Sequence, residues 1–222
     1  NTKIMTRYID LSHTIEDGMI TYTGLPGPKI GDHQNREDAK SHYAEGTSFQ
    51  IGKIEMVANT GTYIDAPFHR YAEGIDLAVL KLASIADLDG VVFRVDQALR
   101  SIGKNVFANE NIKGKAVLIC TGWDRYWRTD AYFENHPFLT RNSAEYLKAA
   151  GAALVGIDSL NIDDTADGSR PVHSILLQAG IPIVEHMCHL DALPGSGFKF
   201  FSVPAPVKGM GSFPVRAFAI VD

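Results

Sequence analysis

Short apolar, β-branched runs recur along the chain at residues 8–11, 49–57, 91–95, 116–120, 153–157, 181–184, 198–203 and 215–221. Their length and composition predict strands. Helical periodicity is rarer. Thr140 is an N-cap type of residue, Ala144, Leu147 and Ala150 recur with helical spacing, and Gly151 follows as a stop, which predicts a helix over 140–150. A shorter helix is predicted over 173–179, closed by Gly180, and a third over 77–85. The stretches 140–157 and 173–184 each run helix, glycine, strand, the signature of α/β construction. Proline and glycine mark loops at 23–31, 193–197 and 204–214. The polar segment 32–46, with His33 and His42, reads as a solvated loop or a surface lid. No repeat, low-complexity tract or charge block divides the chain. One domain over residues 1–222 is expected, with 1–5 as a candidate disordered tail and Met5 as a candidate start.

Composition narrows the class. A chain of 222 residues can bury roughly 70% of its unfolded surface in one core. With 45% hydrophobic and 21% charged residues, disordered and fibrous classes are excluded. A net charge of -5 argues against nucleic acid or an anionic membrane surface as partner. No apolar run reaches the roughly 18 residues of a membrane span, and residues 1–6 lack the apolar core of a secretory signal. Cys120 and Cys188 sit in or beside strand-like runs and read as buried, inert thiols, so a cytoplasmic protein is expected.

Candidate chemistry gathers in two places. In the run 58–69 an apolar strand stops at Asn59-Thr-Gly-Thr62, where Gly61 permits unusual backbone geometry and Pro67 stiffens the exit. Such a turn can aim Asp65 and His69 into one cleft. Equally, Asp65 can cap the next segment and leave His69 as a satisfied polar residue. Further on, His173 opens a predicted helix and Glu185 follows four apolar residues at the carboxyl end of a strand. Ligands of open α/β sheets gather at that edge, although an exposed strand-end glutamate fits too. Asp65, His69, His173 and Glu185 together form a His/carboxylate set suited to zinc or manganese. Asp158, Asp163 and Asp164 follow the strand at 153–157 and are further candidates for the same rim, or else turn-forming residues, while His186 and His189 read as structural ones.

Ordered motifs then suggest a family. They are Ile9-Asp-Leu-Ser-His-Thr-Ile15, Tyr22-Thr-Gly24, Leu118-Ile-Cys-Thr-Gly-Trp123, Gly156-Ile-Asp158, the run from His173 to Glu185, and Gly211-Ser-Phe-Pro-Val-Arg-Ala217. In order and spacing the sequence resembles the cyclase superfamily, whose best-understood members are bacterial kynurenine formamidases (arylformamidases) and isatin hydrolases. The resemblance implies a single α/β domain with a mixed, β-barrel-like sheet flanked by helices, the swivelling β/β/α fold. It also implies a homodimer or homotetramer whose partner loops help close the site. The segment 15–46 is long enough to reach such a neighbour.

The family motif H-x-G-T-H-x-D-x-P-x-H reads here Asn59-Thr-Gly-Thr-Tyr63-Ile-Asp65-Ala-Pro67-Phe-His69. By resemblance, Asp65, His173 and Glu185 are metal ligands and His69 is the acid/base. Asn59 and Tyr63 stand where the family has two histidine ligands. An amide carbonyl is a weak ligand and a phenol, with pKa near 10, must usually ionise to bind. A two-metal site is therefore not expected. One zinc or manganese ion on Asp65, His173 and Glu185, with Tyr63 as an added donor, and a metal-free site both stay open. No organic cofactor is expected.

The implied activity is hydrolysis of an amide-like C–N bond in a small aromatic or cyclic substrate. His69 would shuttle the proton, while Tyr63 and Asn59 would donate to a developing oxyanion. Two alternatives remain: an altered member that binds a small metabolite, or a metal-independent lyase or cyclase using Tyr63 and His69. Tyr22, Phe68, Trp123 and Trp127 are candidate aromatic walls, or plain core packing.

Overall fold

Side chains that alternate between two apolar layers build the main sheet. Along Ala116–Cys120, Ala116, Leu118 and Cys120 enter one layer, Val117 and Ile119 enter the other, and all five are buried. A strand buried on both faces reads as a continuous apolar run, which is why this stretch matches its predicted bounds. The computed structural model describes residues 5–108 and 110–222. Residues 1–4 of the tail expected over 1–5 lie outside the described residues, and Met5 is exposed.

The strands are β1 (Arg7–Asp10), β2 (Lys29–Gln34), β3 (Ile51–Glu55), β4 (Tyr63–Asp65), β5 (Leu88–Arg94), β6 (Ser101–Ile102), β7 (Ala116–Cys120), β8 (Phe138–Leu139), β9 (Leu154–Ile157), β10 (Ile183–Glu185), β11 (Ser196–Phe201), β12 (Ser212–Pro214) and β13 (Phe218–Val221). Nine of them form one curled, mixed sheet in the order β1-β13-β11-β5-β7-β9-β10-β4-β12. Its centre, β5-β7-β9-β10, is parallel, and antiparallel strands flank it. The fold is the single α/β domain with a barrel-like mixed sheet that the resemblance implied. Among the described residues no helix is long and apolar enough to cross a membrane.

Of the helices, α1 (Arg36–Ala39) is one short turn. The other two, α2 (Arg141–Ala149) and α3 (Pro171–Gln178), insert Ala144, Leu147, Val172, Leu176 and Leu177 into one layer. The Thr140 side chain caps α2 by accepting from the Ser143 N–H, and Gly151 and Gly180, at φ +77° and +74°, follow the C-caps. Helix α3 starts two residues earlier than expected because Pro171 is pre-set for a first helical position.

Three expectations are corrected. The stretch 77–85 is not a helix; it holds turns and a 3-10 segment, Leu82–Ser84. The backbone is tied instead to residues 209–210, since the Leu77 N–H donates to the Met210 carbonyl and Asp76 accepts from the Gly209 N–H, which holds a turn and keeps a helix from propagating. Residues 204–214 contain β12, and the loop and polar segment over 23–46 contain β2 and α1. Finally, 49–57 shortens to β3, which leaves the main sheet and pairs with β2 in a separate two-stranded ribbon.

Candidate active site

Three antiparallel residues of β4 organise the cleft. Cross-strand register sets Tyr63 opposite Glu185 of β10, and Asp65 opposite Ser212 of β12. Paired side chains on one face of a sheet lie within reach of each other. Accordingly the Tyr63 hydroxyl donates to Glu185 Oε2 at 2.6 Å, and the Ser212 hydroxyl donates to Asp65 Oδ1. Beyond β4 the chain turns through the 3-10 segment Pro67–His69, which carries His69 to the rim. The backbone of Gly211 packs directly against His69, leaving no room for a Cβ.

His173 arrives from the first turn of α3. Asp163, fully buried, accepts from the N–H groups of Val172 (2.7 Å) and His173 (2.9 Å) and from His173 Nδ1 (2.7 Å). One carboxylate thereby satisfies the helix start and fixes the ring, because Nδ1 carries the hydrogen and Nε2 is left for the cleft. His173 Nε2 lies 3.6 Å from both Asp65 Oδ2 and Glu185 Oε1. Asp65 Oδ2 is buried with no hydrogen-bond partner among the described residues.

The cleft has a volume of about 290 Å³ and is lined by Tyr22, Leu25, Asn59, Tyr63, His69, Arg70, Asn161, Arg170, His173 and Glu185. Every residue proposed from the sequence for catalysis or metal binding therefore meets here, with Asp65 just beneath the surface. Of the candidate aromatic walls only Tyr22 lines it. Its hydroxyl accepts from Asn161 Nδ2 (2.7 Å) and donates to the Leu160 carbonyl (2.7 Å). Trp127 instead stacks on His13 with ring centroids 4.0 Å apart, and Trp123 packs on Tyr126.

Electrostatics revise two expectations. Burial, reinforced by the charge of Glu185, holds the Tyr63 phenol well above its ordinary pKa, so it stays neutral with its proton committed to Glu185. Tyr63 is thus neither a ready ligand nor a free donor to an oxyanion. Burial pushes the Glu185 carboxyl upward against the opposing pull of His173. For His173, burial opposes the charged form, but Glu185, Asp163 and Asp65 outweigh it and raise the imidazole above its usual value. Both Glu185 oxygens are engaged, Oε1 by the Ile162 N–H and Oε2 by Tyr63.

The donor set nevertheless fits a divalent ion. Two ligands sharing a tetrahedral ion at roughly 2.0–2.1 Å lie roughly 3.3 Å apart. The 3.6 Å between His173 Nε2 and the orphaned Asp65 Oδ2 is close to that spacing and too long for a hydrogen bond. Donor atoms of Asp65, His69 and His173 all fall within 4.8 Å of one another. His69 thus joins Asp65 and His173 in the compact set, and Glu185 Oε1 lies beside it, 3.6 Å from His173 Nε2. An ion would displace the proton that His173 otherwise holds.

Sequence reasoning left Asp163 as a rim candidate or a turn residue, and it gave Ser212 no role. The Asp163 carboxylate accepts from no turn of its own; it reaches α3 instead. Ser212 stood inside the motif Gly211–Ala217 with no role of its own legible there, since its partners are contributed by β4 and its turn. Asp158 is also more than a turn residue, being buried and accepting from the N–H groups of Thr121 and Gly122.

Comparison with known proteins agrees with this architecture. A family model described as "Putative cyclase" matches residues 9–164. A kynurenine formamidase of Bacillus cereus (strain ATCC 10987 / NRS 248) is 28% identical over 219 residues, covering 96% of each chain. One from Geobacillus thermodenitrificans (strain NG80-2) is 29% identical over 216 residues, covering 96% of this chain and 97% of that one. Among solved structures, a potential metal-dependent hydrolase with cyclase activity superposes with a TM-score of 0.81 at 24% identity, covering 98% and 99% of the two chains. Isatin hydrolase A from Labrenzia aggregata, bound to benzyl benzoate, also reaches 0.81, at 19% identity and 97% and 94% coverage. The solved structures share the fold, and with its family model matched over most of its length the chain belongs to the cyclase family.

Proposed function

We propose that this protein is a hydrolase that cleaves the C–N bond of an amide in a small aromatic or cyclic substrate. Relatives named kynurenine formamidase and isatin hydrolase support the reaction class. The observation that carries the reading is the orphaned oxygen of Asp65 facing His173 Nε2 on the floor of a cleft that also holds His69.

Asp65, His69 and His173 would hold one zinc or manganese ion. Bound there, such an ion supplies Lewis acidity, which lowers the pKa of water and polarises a carbonyl. Asp163 orients His173. Glu185, buried beside His173 with the Tyr63 hydroxyl donating to its Oε2, would take a proton and return it to the leaving nitrogen. Tyr63 steadies it through the 2.6 Å hydrogen bond. Tyr22 and Leu25 offer apolar surface to a planar ring.

One observation favours a second reading. The Ser212 hydroxyl has a single proton, which goes to the Asp65 carboxylate, so the 2.8 Å contact with His69 makes His69 Nδ1 the donor. In the neutral ring of that tautomer the lone pair is on Nε2, and without an ion His69 would serve directly as the general base. Metal analysis combined with turnover of N-formylkynurenine and isatin separates the two. In the metal reading, zinc or manganese copurifies, chelation abolishes turnover, and His69→Ala lowers both metal content and kcat/KM. In the second reading, chelation has no effect and His69→Ala costs about 10²–10⁴ in rate. Turnover indifferent to both treatments would refute both.

A further inference from the structure

Two arginines line the cleft, and neither has an ionic partner among the described residues. Arg70 follows His69 directly, and Arg170 stands at the N-cap position of α3, just ahead of His173. Neither has a carboxylate within 4.0 Å among the described residues, whereas Arg100, Arg128 and Arg216 each pair with one. Both are braced without being neutralised. Arg70 Nε donates to Ser174 Oγ at 3.2 Å, and its guanidinium lies over the Tyr71 ring, 5.3 Å from the centroid. Arg170 donates from Nη1 to the Asp164 carbonyl at 2.9 Å. A guanidinium has five N–H donors, so each side chain keeps most of its fork for another acceptor.

The backbone adds an independent observation. Arg170 adopts φ +46°, ψ +61°, in the left-handed region where glycine or asparagine is at ease and a long side chain is strained. The turn uses only one N–H of the guanidinium, on the Asp164 carbonyl, and the helix start is satisfied by Asp163. The strained position holds a cation at the mouth of the cleft.

Resting on the hydrolase reading above, we propose that Arg70 and Arg170 form a carboxylate-recognition pair, so that the preferred substrate is an anionic aryl amide. Planar forks of N–H donors match the two oxygens of a carboxylate. The ring of such a substrate lies against Tyr22 and Leu25, and its amide lies over His69 and His173. The arginines act on binding, and the preference they confer appears in KM rather than kcat.

The test compares 2-formamidobenzoate and 4-formamidobenzoate with neutral formanilide. For the unaltered protein, kcat/KM for at least one benzoate is expected to exceed that for formanilide by about tenfold or more. In Arg70→Gln/Arg170→Gly that ratio falls to near one, through KM, while Arg70→Lys keeps part of it because the charge survives without the fork. Thermal unfolding checks the fold, and glycine at 170 relieves the left-handed strain. Should the double variant unfold, Arg70→Gln, altering an exposed side chain, carries the same comparison. A ratio near one in the unaltered protein, or an unchanged ratio in the variants, overturns the pair. If no amide is hydrolysed, the hydrolase reading fails, and calorimetry then decides the pair alone. Binding of the benzoates over formanilide that the variants lose supports it; equal binding refutes it.

Discussion

Replacing Asp163 tests how the fold holds its histidine. The carboxylate is fully buried and accepts three hydrogen bonds, from the N–H groups of Val172 and His173 and from the His173 ring. Bonds to a charged acceptor contribute about 1.5–3 kcal/mol each, and removing the acceptor leaves buried donors unsatisfied. Arg170, at the N-cap position of α3, offers no side-chain bond to compensate. Because three bonds sharing one carboxylate do not add fully, Asp163→Ala is expected to cost about 3–5 kcal/mol. With a urea m-value of about 2–3 kcal/mol/M, the unfolding midpoint should fall by about 1–2 M. Asp163→Asn keeps an acceptor for one backbone group but loses the charge, and should cost about 1–2 kcal/mol. Titration of the folded Asn variant with zinc should show affinity reduced about 10–100-fold, since the ring is no longer held in one tautomer. A midpoint shift below about 0.3 M for the Ala variant would refute the account of Asp163.

Further outcomes follow from packing and titration. At Gly211 an added Cβ would fall on the backbone of His69 and 2.8 Å from the carbonyl carbon of Phe68. Gly211→Ala should therefore cost about 3 kcal/mol or more in a denaturation midpoint, and an unchanged midpoint would contradict the close approach. Burial, with a contribution from His189, lowers the His13 imidazole from 6.5 to about 4, and burial likewise depresses His186. Between those values the unfolded chain binds more protons than the folded one. The His13 contribution is thus complete above pH 6.5 and is lost as pH falls toward 4. Between pH 7 and 5, His13→Gln should lose about 1–2 kcal/mol less than the unaltered protein; equal losses would reject the assignment.

The parts of the fold legible in the sequence are those whose signal is local. β7 reads correctly because both its faces are buried, and α2 because Thr140 and Gly151 bracket it. β4 and β12, of three residues each, were hidden. Neither is long enough to show alternation, and β12 ends in a proline that only its place on the sheet edge tolerates. β2 was hidden for another reason: it is almost wholly exposed, so no buried face imposes a pattern. The candidate site shows the same division. The family motif led to Asp65 and His69, and Glu185 stood out as an acid after an apolar strand. Asp163 and Ser212 act only across folded distance, and the geometry that engages Glu185 and favours His69 as a metal donor comes from hydrogen bonds no spacing encodes.

The seating of β4 between β10 and β12 also governs when the site can exist. Tyr63 and Glu185 are 122 positions apart in sequence, and Asp65 and Ser212 are 147 apart. During synthesis, β4 leaves the ribosome with both edges bare and waits for partners made much later. Such distant pairings come at a large loop-closure cost and tend to form late in folding. A partly made chain therefore carries its acidic and imidazole groups without a cleft, and an open strand edge that invites pairing with other chains. Catalytic competence arrives only when the β12 segment docks, making assembly of the site a late checkpoint on the whole fold.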